Sequence, residues 1–438
     1  MRRMQRRWSW GALFVAFLLI AAACGDSGST ETTSAATQAP TETEAPTETE
    51  APTETEAPTE TEAPPPPADP LTIGMILVGP QNDRGWSQAH FEGGQYVTEV
   101  LGGDLIVIDK VNPADRPETT IESVVADMID QGADIIFATS DDMKDGIEAA
   151  AALFPDTPMI WSSGDSAWET APGYRADLTN LGNTMGRMEY GKAIAGCAAA
   201  LTSQTGSIGY VGPLINDETR RLVNSAYLGA DYCWKNYRGE SSDIAFEVNW
   251  IGFWFNIPGF TLDPTQVSND FFDSGADVLI SGIDTTEAIV RTGQRADGGE
   301  AVWAVPYDFE GACDEAPDVC LGVPYFNWGP EYLRIVQSVA DGSFTAEWNW
   351  FGPDWENIND AQSSGIGWLD GDALSTEAAQ SLAQFIAGLA DGSINPWTGP
   401  LNYQDGSVWL ADGEAASDEQ IWFTEQLLEG VEGASSSE

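Results

Sequence analysis

The residues best equipped for chemistry fall in one stretch, GPQNDRGWSQAHFEGG at Gly79–Gly94. Asp83 and His90 have the types of an acid–base pair, yet nothing supplies a nucleophile or an electrophile. His90 is the single histidine of the chain, so zinc sites of several histidines are ruled out; a Ser-His-Asp triad could use only this residue, without a G-x-S-x-G elbow. Recognition is the chemistry that remains. Asp83, with Asn82 and Ser87, offers hydrogen bonds, and Trp86 and Phe91 offer ring faces for stacking. The same residues also fit a capped helix start, with Asp83 or Ser87 as N-cap and the aromatics turned to a core.

The stretch follows the apolar run Leu71–Val78, short and β-rich enough for a buried strand, and leads into Phe91–Leu101, where apolar residues recur at helical spacing. Strand, polar turn and helix open a doubly wound α/β sheet, in which ligands bind outside the carboxyl ends of the strands. Strands are predicted again at Asp104–Val111, Asp134–Ser140 and Pro158–Gly164, with helices at Glu118–Gln131 and Asp145–Phe154. Tyr174–Thr179 reads as a crossover into a second half. There, helix Asn183–Leu201 carries a small-residue face, and strands Ser207–Pro213, Ile244–Gly252, Ala276–Ile283 and Ala301–Tyr307 follow, with helices Asp217–Ala230 and Asp263–Ser274. The expected fold is α/β: two doubly wound, Rossmann-like lobes joined by a hinge around a cleft. Lobe 1 would cover about residues 70–180 plus a later return, and lobe 2 about 181–305 plus C-terminal segments, within a domain of about 70–433.

Several segments carry a family resemblance across nearly all of Leu71–Gly433. They are D-x-G-W-S-x-x-H-x-x-G from Asp83, FATSDDM at Phe137–Met143, NDETRRLVNSAYLGAD at Asn216–Asp231, VNWIGFWFNI at Val248–Ile257, GADVLISGID at Gly275–Asp284, and WTGPLNYQDGSVWLADGE at Trp397–Glu414. Together they resemble the basic membrane protein family, lipoprotein substrate-binding components of ABC importers that include purine and nucleoside receptors. Asn256 and Tyr403 stand where that family usually has aspartate. The resemblance implies a type 1 periplasmic-binding fold that closes on a purine, nucleoside or similar heterocycle and delivers it to permease and ATPase subunits. It implies a ring sandwiched between Phe91 and Trp254, acids Asp83, Asp308 and Asp284 on its polar edge, and Trp86 and Ser140 at neighbouring strand ends. It implies no enzyme activity, no cofactor and a monomer. A sugar receptor on the same fold, or a sensor docking on a signalling receptor, are the alternatives. Trp328, Trp348, Trp350 and Trp355 fit either a sugar-stacking cluster or packing around a crossover.

The 438 residues carry a net charge of −51, which argues against nucleic acid and anionic lipid headgroups as partners. Four arginines, Arg2, Arg3, Arg6 and Arg7, begin an export signal with apolar Gly11–Ile20 behind them, a run too short to be a good membrane span. Ala21–Ala23 before Cys24 resembles a lipobox, with Ala21 where leucine is more usual. Residues 1–23 would then be removed and Cys24 acylated, placing the protein on the extracytoplasmic face of the cell membrane; a simple A-x-A cleavage is the alternative. Residues 24–69, with TETEAP repeats, would form a disordered tether reaching on the order of 140 Å at ~3.1 Å per residue. Export to an oxidising compartment predicts disulfides, Cys313 with Cys320 and, as the remaining pair, Cys197 with Cys233.

Overall fold

A computed structural model describes residues 70–437; Cys24, the signal segment and the tether lie outside the described residues. The apolar run forms β1 (Thr72–Ile76), and α1 (Trp86–Leu101) begins at Trp86, earlier than the periodicity from Phe91 indicates. Asp83 sets that start. Its carboxylate accepts the backbone N–H groups of Gly85, Ser87 and Gln88 at 2.9–3.0 Å, three bonds to groups that a helix start otherwise leaves unpaired. Ser87 is therefore inside the helix, where its hydroxyl accepts from the Gly79 N–H at 3.0 Å.

The first half continues as predicted with β2 (Asp104–Ile108), α2 (Ile121–Asp130), β3 (Ile135–Ala138), α3 (Lys144–Leu153) and β4 (Met159–Ser162). The helix expected from Asn183 is corrected: Leu181–Gly186 is a strand, β5, and the helix α4 spans Met188–Thr202. Gly182, Asn183, Thr184 and Gly186 are poor helix formers, and parallel pairing with β4 takes up the backbone here.

The second half contains β6 (Ser207–Gly212), α5 (Asp217–Asn236), β7 (Ala245–Trp250), α6 (Pro264–Ser274), β8 (Val278–Ser281), α7 (Glu287–Asp297) and β9 (Trp303–Val305). The sequence-based elements omit α7, whose buried face is only Ala288, Ile289 and Thr292. The remainder comprises β10 (Gly322–Phe326), α8 (Gly329–Ala340), β11 (Trp348–Phe351), β12 (Ile366–Asp370), α9 (Thr376–Asp391), the hairpin β13 (Leu401–Asn402) and β14 (Val408–Leu410), α10 (Asp418–Trp422) and β15 (Val431–Glu432).

Two parallel sheets result, ordered β11-β5-β4-β3-β1-β2 and β15-β7-β6-β8-β9. The chain passes from the first to the second through α4, and β11 later returns to the first sheet beside β5. The small-residue face of α4 serves close packing on α5: a Cβ on Gly196 would overlap the Ala226 carbonyl oxygen. Cys197 of α4 is bonded to Cys233 of α5, with Cα atoms 5.2 Å apart, and Cys313 to Cys320, with Cα atoms 5.6 Å apart.

The four tryptophans of Asn327–Trp355 do not form one cluster. Trp328 is stacked on His90 at 4.0 Å between ring centroids, Trp348 on Trp168 at 4.0 Å, and Trp355 meets Tyr190 edge-on at 5.2 Å. Trp350 packs beside Trp348 at 5.8 Å, and both meet Trp422, so the four fall into three separate contacts.

Candidate ligand site

The carboxyl ends of both sheets converge on one cleft. Ser140 and Asp141 follow β3, Ser163 follows β4, Pro213 follows β6, Trp254 follows β7, Gly282 and Asp284 follow β8, and Tyr307 follows β9; all line it. Trp86, at the first turn of α1, and Tyr210, within β6, complete its aromatic wall.

Trp86 and Trp254 reach the cleft from opposite lobes. The Trp86 indole N–H donates to the Thr139 carbonyl at 2.6 Å, and His90, one turn on along the same helix face, meets its ring edge-on at 4.5 Å. His90 in turn shares a 2.6 Å hydrogen bond through Nδ1 with the Tyr332 hydroxyl, and burial holds it well below its usual pKa. The lone histidine is a neutral packing partner of Trp86. Across the cleft, the Trp254 indole donates to Asp142 Oδ2 at 2.9 Å, and Asn216 donates to Asp141 Oδ2 at 3.3 Å. Gly85 lies so near Asp284 that a Cβ would overlap the Asp284 carbonyl. The lobes are closed on each other.

The acids divide by environment. Asp284 and Asp308 are buried, and burial, reinforced by neighbouring carboxylates, holds both well above the usual carboxylate range. Asp308 has a positive φ of 71° and neither carboxylate oxygen has a hydrogen-bond partner. It sits behind the cleft wall beside Lys192, whose Nζ lies 3.1 Å from the centroid of the Tyr307 ring and donates to the Ser281 carbonyl at 2.6 Å. Burial pushes Glu218, also on the cleft, up to about 7. Acids held protonated can donate as well as accept.

Of the residues singled out from sequence, Trp86, Ser140, Trp254 and Asp284 come together on the cleft. Phe91 does not. Five residues beyond Trp86 at about 100° per residue, it points to a different side of α1, and it packs half-buried against the core. Asp83 caps α1 rather than lining the cleft, and Asp308 stands just behind it. Sequence reasoning missed Tyr210, Tyr307, Ser163 and Lys192. Lys192 carried a signal, a charge in the otherwise small and apolar run AIAGCAAAL and its preceding turn.

Two doubly wound lobes closed on an aromatic, acid-lined cleft define a solute receptor of the type 1 periplasmic-binding architecture. The chain belongs to the family described as ABC transporter substrate-binding protein PnrA-like (Bmp), which matches residues 71–352. It is thus the extracytoplasmic, non-enzymatic substrate-binding component of an ABC transporter, with a small-molecule ligand and transporter partners. A purine-binding protein of Brucella abortus is 27% identical over 83% of this chain and 93% of its own length. A Haloferax volcanii protein, provisionally named as an ABC transporter glucose-binding protein, is 27% identical over 84% of this chain and 82% of its own. An ABC transporter solute-binding protein from Aeropyrum pernix superposes with a TM-score of 0.58 at 13% identity, covering 82% of this chain and all, 100%, of the other, a likeness of fold. Among the described residues no helix is long and apolar enough to cross a membrane.

Proposed function

We propose that the cleft binds a purine or purine nucleoside, held between Trp86 and Trp254, and that hinge closure presents the loaded receptor to its permease. The observation that carries this reading is the pairing of two indoles from opposite lobes with buried acids, which burial pushes towards the neutral form. A planar heterocycle stacks on indole faces, and its edge alternates donors and acceptors that neutral carboxyl groups can match. The purine-binding name of the Brucella relative supports the same class. Ser140, Asp284 and Glu218 are the polar contacts we assign to the ligand. Asp83 positions Trp86, and Asp308 acts from behind the wall.

A sugar is the second reading, supported by the indole walls, on which apolar sugar faces stack, and by the name of the Haloferax relative. Calorimetry of the protein against adenine, adenosine, guanosine, inosine, glucose and xylose separates the two. Heat from a sugar with none from any purine overturns the purine reading.

We further propose that Cys24 is acylated and tethers the domain to the extracytoplasmic face through residues 25–69, since stable anchoring takes more than one acyl chain. Cys24→Ala should release the protein from the membrane fraction. Unchanged processing and retention in that variant would sink the proposal.

A further inference from the structure

The cleft does not stop at the aromatic wall. Past Asp141, Ser163 and Glu218 it opens into an adjoining polar annex, whose other walls include Trp161, Trp422, Lys144 and Arg221. The annex has a cavity volume of about 130 Å³.

The charges in this annex are satisfied unevenly. Its acids have protein donors: Asp141 accepts from Asn216 at 3.3 Å, Asp165 from the Trp422 indole at 3.4 Å, and Asp217 is paired with Arg220. Burial pushes Glu218 up to about 7, so near neutral pH it carries only part of a negative charge. The cations have no such partners. Arg84, Arg175, Arg187, Arg220 and Arg295 each find a carboxylate, whereas Arg221 and Lys144 form no ion pair among the described residues. Arg221 feels the charges of Glu218, Asp141 and Glu189 nearby, yet it forms an ion pair with none of them.

Arg221 is only 3% exposed, and its Nε is sealed without a partner. Its guanidinium lies 4.3 Å from the centroid of the Trp422 ring, so the ring supplies cation–π contact but no acceptor. A buried cation without a directly bonded acceptor is costly, and a fork of N–H donors facing a cavity matches a carboxylate or phosphate. Lys144 stands at the first turn of α3 in the first lobe, and Arg221 on α5 in the second. A group held by both would be contacted from both lobes and would favour closure.

We propose that this annex is an anion subsite, and that the ligand is a planar heterocycle carrying an acidic substituent, a phosphate or a carboxylate, held by Arg221 and Lys144. The assignment rests on the aromatic cleft holding the ring. The acidic surface opposes the anion's approach only over roughly 8 Å at physiological ionic strength; within the annex, Arg221 and Lys144 must outweigh Asp141, Asp165 and Asp217 at contact.

The test is calorimetry of the full mature chain with adenosine, adenosine 5′-monophosphate and adenosine 5′-carboxylate, and with the corresponding inosine series. One acidic form should bind roughly tenfold or more tighter than its neutral parent, as charge-assisted pairing implies, and the two arms tell phosphate from carboxylate. In Arg221→Gln the ratio of acidic to neutral affinity should fall towards one. Lys144→Gln, at an exposed position where the ammonium lies 5.6 Å from the centroid of the Trp161 ring, should lower the ratio by a smaller factor. Inorganic phosphate alone should raise the melting temperature of the wild type more than that of Lys144→Gln. Equal affinity of acidic and neutral forms, with no stabilisation by phosphate, overturns the anion subsite and leaves the ring site standing. Stabilisation by phosphate with no binding of any purine overturns the ring site instead.

Discussion

Trp254 and Asp142 join the two lobes directly: the indole Nε1 of one donates to a carboxylate oxygen of the other at 2.9 Å. The first follows β7 of the second sheet and the second follows β3 of the first. Because Trp254 also lines the cleft, one side chain both faces the ligand and latches the closed state. Trp254→Phe keeps a π face and removes the latch. Ligand affinity should drop by roughly 1.5–3 kcal/mol, the range for a hydrogen bond to a charged group. Asp142→Asn keeps an acceptor without its charge and should lose less. Calorimetry with the ligand selected by the purine panel measures both, and wild-type affinity in Trp254→Phe would show the latch to be idle.

Gly85 offers a sharper probe of closure. Its backbone, at φ −150° and ψ −136°, lies outside the β and α regions that other residues favour, so alanine there carries a cost of its own. The Cβ would also overlap the Asp284 carbonyl of the other lobe. Gly85→Ala should reduce affinity by about tenfold or more, a loss larger than its effect on the thermal stability of the ligand-free protein, since an obstructed closed state loses its differential contacts. Small-angle scattering should show a larger radius of gyration on ligand addition than in the wild type. Equal compaction of the two proteins would mean that the lobes bypass this contact.

Much of this architecture is legible in the sequence, because buried parallel strands read as apolar runs between polar turns. β1, β3 and β6 stand out in that way, and the residues after them mark the cleft. The identity of the stacking residue is less legible. Where α1 starts decides whether Trp86 or Phe91 faces the ligand, and that start depends on how Asp83 uses its carboxylate, which helical periodicity does not contain. Tyr210 reads as strand core for a related reason: a residue within β6 can reach the cleft only because the sheet end is open to the other lobe. Asn183–Gly186 failed as the start of a helix because its partners, β4 and β11, lie on either side of it in space, and β11 is far along the chain.

The buried acids give the stability a direction in pH. Glu218 and Glu189 are both pushed up to about 7, chiefly by burial, from an ordinary value of 4.5. Between those values the folded protein binds more protons than the unfolded chain, so stability falls as pH rises from about 4.5 to 7. His90 acts oppositely: buried and neutral, it favours the unfolded state below its ordinary value of 6.5. The acids outnumber it, so the ligand-free protein should melt higher at pH 5 than at pH 7.5. Glu218→Gln should flatten that slope. A melting temperature that climbs steadily from pH 5 to 7.5 would contradict the assignment of these groups as neutral acids.

The roles of Trp86 and Phe91 differ most clearly under substitution. Trp86 lines the cleft, held by the Thr139 carbonyl, by His90, and by Phe326 and Trp328 edge-on at 5.2 Å and 5.5 Å. Phe91 packs elsewhere on α1. Trp86→Phe should keep a smaller ring face and lose part of the affinity, and Trp86→Ala should lose the stacking contribution of about 0.5–1.5 kcal/mol together with the buried area beneath it. Phe91→Ala should instead lower the melting temperature, as removal of a half-buried core contact does, with ligand affinity within about a factor of two of the wild type. Calorimetry on the three variants, with the wild-type ligand, distinguishes the positions. If Phe91→Ala loses affinity as severely as Trp86→Ala while its melting temperature is unchanged, Phe91 is a ligand contact, and α1 must turn between the open and closed states.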